Sequence, residues 1–167
     1  MRTDGVSPAR PHSEARFLAG DGFLYALLYA ADEDIVATGL GADAVARTDD
    51  QFELVLSNGE RELVFDINAL GVVTDGVRLA GSGADPDLSW NGQVHASYEL
   101  DGTPNDPSDL DEEWVLELAI PFEPLGFRGT RGERIGLSMR RCDTLHDGKR
   151  VCGSWGEGAR HGVLVLE

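Results

Sequence analysis

Two cysteines, Cys142 and Cys152, flank a segment that contains Asp147-Gly148, a dipeptide that favours a tight turn. A hairpin folded there sets the sulfurs opposite each other. The pair therefore predicts a disulfide of the kind that persists in oxidising compartments, with two opposed free thiols as the alternative. A second group, Asp101, Asn105, Asp106, Asp109 and Asp111, crowds oxygen ligands into one stretch. Calcium takes such ligands, but the spacing lacks the glycine and terminal glutamate of an EF-hand, and a solvated acidic loop is the alternative. His12, His95, His146 and His161 are too scattered for a zinc site. No G-x-S-x-G, P-loop or H-E-x-x-H motif occurs. Carboxylate pairs such as Glu53 with Glu117 can be named in any acidic chain, so catalysis is not expected.

The elements that must position these residues read as strands. The chain has 167 residues, 41% of them apolar, with 21 glycines and 7 prolines spread along it. That length suits one domain, and the frequent turn residues suit short strands. With 30 acidic against 14 basic residues the net charge is -16. Such a surface repels nucleic acid and anionic lipid. No run reaches the roughly 20 apolar residues that span a bilayer. Met1-Arg2-Thr3-Asp4 lacks the pattern of a secretory signal, whereas the cysteine pair favours an extracytoplasmic location.

Residues 1-14 read as a flexible lead-in and 15-167 as the folded unit. Strands are expected at Ala15 to Ala19, Phe23 to Ala31, Gln51 to Leu56, Glu62 to Asn68, Val94 to Leu100, Trp114 to Ile120, Arg134 to Cys142, Cys152 to Trp155 and Val163 to Glu167, with a shorter one near Val72. Asn58-Gly59 marks a hairpin turn and Pro121 a strand end. Residues 35 to 50 read as a loop or short irregular helix. The expected fold is an all-β antiparallel sandwich of the immunoglobulin or jelly-roll kind.

Five stretches in order carry a family resemblance. They are Phe23-Leu24-Tyr25 through Asp32, Asp50-Gln51-Phe52-Glu53, Phe65-Asp66-Ile67-Asn68 ending at Gly71, Trp114-Val115-Leu116-Glu117-Leu118-Ala119-Ile120-Pro121, and Arg140-Arg141 with Asp143 leading to Ser154-Trp155 and Gly162-Val163-Leu164. This order resembles the family 9 carbohydrate-binding modules (CBM9) and the wider DOMON-like sandwiches, over about nine-tenths of the chain. The resemblance implies carbohydrate binding without cleavage, a monomeric module serving glycan breakdown or uptake beside a glycoside hydrolase, and structural calcium in some members, here at Asp101, Asp106, Asp109 and Asp111.

Sugar rings present weakly polar C–H faces, so their sites need flat aromatics with polar groups at the rim. In the family, two tryptophans sandwich a terminal sugar. Trp155 falls on one of these positions, Glu53 on a family acidic position, and Arg140 in a strand that supplies a hydrogen-bonding group. The other tryptophan position falls within Ala46-Arg47-Thr48-Asp49, and Asp66 stands where the family has a sugar-binding arginine. Arg47 stacking on a sugar, Trp90 filling in, and loss of sugar specificity are the alternatives. For Trp155 and Trp90, packing roles compete with platform roles, and Asn68 is a turn-former or a ligand contact. Two further classes remain: a DOMON-like haem domain, with Met139 and His95 or His161 as axial ligands, and a structural or adhesion sandwich that has lost its ligand.

Overall fold

The computed structural model describes residues 12–41, 43, 45–145, 147–155 and 162–167. Their strands are β1 (Ser13–Gly20), β2 (Phe23–Ala31), β3 (Gln51–Ser57), β4 (Arg61–Asn68), β5 (Val73–Leu79), β6 (His95–Asp101), β7 (Glu113–Pro121), β8 (Arg134–Thr144), β9 (Arg150–Trp155) and β10 (Gly162–Val165), with one helical turn, α1 (Phe122–Leu125), after Pro121. All pairings between these strands are antiparallel. One sheet has the order β1-β2-β7-β6 and the other β10-β8-β3-β4-β5, with β9 also pairing with β8. The expected β-sandwich is present. Most of the expected lead-in, residues 1–11, lies outside the described residues, while Ser13 and Glu14 already belong to β1.

Alternation explains the layering. Leu24, Ala26, Leu28 and Ala30 of β2 and Trp114, Leu116, Leu118 and Ile120 of β7 are buried, as are Phe52, Leu54 and Leu56 of β3 and Leu63, Phe65 and Ile67 of β4. With a side-chain period of two, these sets point from both sheets into one core. β8 is long enough to pair along one edge with β3 and along the other with two strands in succession. Ile135 and Leu137 face β10 residues, and Met139 to Thr144 face β9. Cys142 stands directly opposite Cys152 and is disulfide-bonded to it.

Much of the acid works inside. The described residues between Asp32 and Asp50 carry no regular element, and yet Ile35 and Ala37 among them are buried. A buried backbone without a sheet partner needs acceptors from elsewhere. Side chains supply them in succession: Asp111 Oδ2 accepts from Ile35 N–H (2.6 Å), Asp50 Oδ2 from Val36 (2.6 Å), Asn105 Oδ1 from Ala37 (3.0 Å), and the two Asp49 oxygens from Thr38 (2.8 Å) and Gly39 (3.1 Å). The segment is a loop rather than a helix because these carboxylates replace the intrahelical acceptors.

Candidate functional site

The outer face of the larger sheet carries a polar row set by register. Ser154 of β9 pairs with Arg140 of β8, Arg140 with Glu53 of β3, Glu53 with Asp66 of β4, and Asp66 with Thr74 of β5. Neighbouring strands lie about 4.8 Å apart, so the row extends roughly 19 Å across the sheet. Arg140 and Glu53 approach to 3.9 Å and stay 45% and 33% exposed, a loose pair open to a ligand. Gln51, two residues before Glu53 and on the same face, donates from Nε2 to Asp66 Oδ1 (3.3 Å), while its Oε1 is buried with no hydrogen-bond partner. Arg150 donates to the Asp49 carbonyl (2.9 Å) and to Thr144 Oγ1 (3.1 Å). Burial and then the Glu53 charge push the Asp66 carboxyl up to about 6, against the pull of Arg140, Arg150 and Arg47. Three guanidinium charges therefore act on this carboxyl. Arg47 is exposed.

The row unites Glu53 and Arg140, with Arg47 close by, but the other expected contacts lie elsewhere. Trp155 pairs with Met139 at the end of β9. One position beyond Ser154, it sits on the opposite side of the sheet from Arg140. With Ala15, Phe17, Leu137, Met139 and Leu164 it lines a groove of about 380 Å³ where the two sheets part beside β1. Its ring lies over Gly162, where a Cβ would collide with it. Trp90 is half-buried, 6.1 Å from Phe65, and closes the core as a packed lid. Asn68 is 0% exposed and cannot meet a ligand. It donates to the Gly39 carbonyl and Asp49 Oδ2 and accepts from Leu70 and Val72, which corrects its expected binding role to a turn-former.

The expected calcium loop does not fit an ion. Asp111 spends its oxygens on the Thr103 and Ile35 N–H groups, Asp106 on Ser108, and Asn105 on Ala37, while Asp101 and Asp109 are exposed. Among the described residues the carboxylates that converge are instead Asp32, Asp50 and Asp143, all buried. That cluster already holds a cation. Arg141 donates to Asp32 Oδ2 (2.8 Å) and lies 3.4 Å from Asp143 Oδ1, Trp114 Nε1 donates to the same Asp32 oxygen (2.8 Å), and both Asp50 oxygens accept backbone N–H groups from Val36 and Thr144 (2.6 Å each). The haem ligands are likewise apart: Met139 lines the groove beside β1, His95 is exposed on β6 at the opposite edge of that sheet, and His161 lies outside the described residues, as does His146. Glu53 and Glu117 lie on different sheets and outside the core, so they do not form a facing pair.

Burial, then the Asp32 charge, push Asp50 up to about 8, against its two backbone bonds, and burial pushes Asp143 up to about 6 despite Arg141. Carboxyls raised in the fold bind protons that the unfolded chain has released, so stability falls as pH rises from the ordinary aspartate value of 3.8 through about 6 and on to about 8. Burial also acts on Asp49, but bonds from Asn68 and Thr38 outweigh it and hold that group low, which acts only below this window. The melting temperature is expected to drop by at least about 4 °C between pH 5 and pH 8. A flat or rising profile in calorimetry would contradict these assignments.

No protein-family profile and no curated protein matches the sequence. In shape, the chain is similar to a putative carbohydrate-binding protein from Bacteroides uniformis (TM-score 0.72, 16% identity, 95% of this chain and 80% of that one). It is similar also to a family 9 carbohydrate-binding module from Caldicellulosiruptor kristjanssonii in complex with glucose (TM-score 0.63, 14% identity, 97% and 80%), and to one in complex with cellotriose (TM-score 0.58, 14%, 95% and 77%). At these identities the likeness is one of fold.

Proposed function

Since the chain has the fold of the family 9 carbohydrate-binding modules, we propose that it binds carbohydrate without cleaving it, across the outer face of the larger sheet. The observation that carries this reading is the register that lines up Ser154, Arg140, Glu53, Asp66 and Thr74. The line offers a donor in Arg140, acceptors in Glu53 and Asp66, and hydroxyls that do both in Ser154 and Thr74, as recognition of several hydroxyls requires. No aromatic ring belongs to the row, so affinity comes from charge-assisted hydrogen bonds rather than from stacking between two tryptophans. The domain acts outside the cytoplasm, where the Cys142–Cys152 bridge persists, as a monomer beside a glycoside hydrolase that degrades the same glycan. No helix among the described residues is long and apolar enough to cross a membrane.

The test is a glycan array, followed by calorimetric titration of each hit. Wild type binds at least one glycan, and Glu53→Ala and Arg140→Ala, both at partly exposed positions, each weaken binding about tenfold or more without lowering the melting temperature. Absence of binding to every glycan by the folded wild type would leave a sandwich that has lost its ligand and would overturn the proposal.

A further inference from the structure

The polar face is unusual for this chain in its charge and in carrying a buried acceptor, Gln51 Oε1, without a hydrogen-bond partner. The protein has 14 basic residues against a net charge of -16, yet Arg47, Arg140 and Arg150 all act on Asp66. These three guanidiniums meet two carboxylates on the face, Glu53 and Asp66. The nearby Asp49 and Asp50 point their oxygens at backbone and side-chain donors of the 36–39 segment and at Thr144. Arg140 is held only loosely, at 3.9 Å from Glu53. Gln51 is 8% exposed, and its Oε1 has no hydrogen-bond partner. A buried acceptor without a donor is destabilising until one reaches it.

No simple ligand answers both features. A bare anion would pair with the arginines and leave Gln51 Oε1 unsatisfied. A neutral sugar would satisfy Gln51 through a hydroxyl and leave the arginine excess unused. A ring carrying hydroxyls and a carboxylate meets both, because guanidinium and carboxylate form parallel paired hydrogen bonds. We propose that the ligand of this face is an anionic sugar, a uronate-containing glycan, with Gln51 Oε1 and Asp66 accepting from its hydroxyls and Arg140 donating to its carboxylate. This inference rests on the reading of the face as a sugar site.

Three probes separate the cases by calorimetry on the intact domain: trigalacturonate, cellotriose, and polyglutamate as an anion without hydroxyls. Trigalacturonate is expected to bind at least about tenfold more tightly than cellotriose, to weaken as salt is added, and polyglutamate not to bind. Gln51→Met, which keeps length and removes the acceptor, and Arg140→Ala, on an exposed side chain, each reduce trigalacturonate binding about tenfold. Melting curves identify a variant that fails to fold; Arg140→Ala then carries the test. Equal or tighter binding of cellotriose overturns the anionic class while leaving a sugar site. Polyglutamate binding as well as trigalacturonate reduces the face to a charge patch, and unaffected trigalacturonate binding by folded variants removes the site from this face. A folded wild type that binds neither of these sugars nor any arrayed glycan fails the sugar reading itself.

Discussion

Arg141→Met is expected to destabilise the domain by about 3–5 kcal/mol. Arg141 is 3% exposed and is the cation of a knot assembled from distant segments, donating to Asp32 and lying beside Asp143, with its charge 5.9 Å from the Trp114 ring centre. Methionine fills similar space but leaves two buried carboxyls without their positive partner, and an unpaired buried charge costs more than the pair contributes. The carboxyls then take up protons, so the variant loses stability more steeply than wild type as pH rises. Denaturant unfolding with an unchanged slope would report the loss. A change below about 1 kcal/mol would show that the knot is not a determinant of stability.

Trp114→Ala is expected to cost a comparable amount, about 3–5 kcal/mol. The side chain is 0% exposed, packs edge-on to Phe52 with ring centres 5.1 Å apart, and donates its indole N–H to Asp32 Oδ2. Removing it opens a cavity and strips Asp32 of one of its donors. Trp114→Phe separates the terms: an aromatic remains against Phe52 while the donor is lost, for about 1–3 kcal/mol. Because Arg141 and Trp114 donate to the same oxygen, the double variant should not show the sum of the single losses. Equal losses for the alanine and phenylalanine variants would contradict the cavity argument. Against the roughly 5–15 kcal/mol that holds ordinary domains folded, either large loss brings this one close to unfolding.

The strands were legible because they obey local rules. The apolar run Phe23 to Ala31 is β2 residue for residue, the Asn58-Gly59 turn joins β3 to β4, and the strand ending at Pro121 does so because proline has no N–H for the ladder. The cysteine pairing followed from one turn signal. What depends on register was harder. Arg140 opposite Ser154 puts Trp155 on the other side of the sheet, and a slip of a single residue would have reversed that assignment. Within the buried knot Arg141 reaches Asp32 across 109 positions, a distance over which no periodicity carries information. Asp111 and Asn105 looked like metal ligands because acidic loops resemble calcium loops, but their oxygens terminate the backbone of residues 35 and 37. Gln51 passed unmarked since a glutamine in a strand belongs to no motif; its spacing of two from Glu53 is the signal that puts both on one face.

The account is tested most directly by following backbone amides and indole N–H groups in two-dimensional NMR while the tightest-binding glycan is titrated in. Binding across the outer face predicts shifts gathered at Gln51, Glu53, Asp66, Thr74, Arg140 and Ser154, with the Trp155 indole unmoved. Shifts at the Trp155 indole and along β1 and β10, with that row silent, would put the sugar in the apolar groove instead and contradict the proposed site.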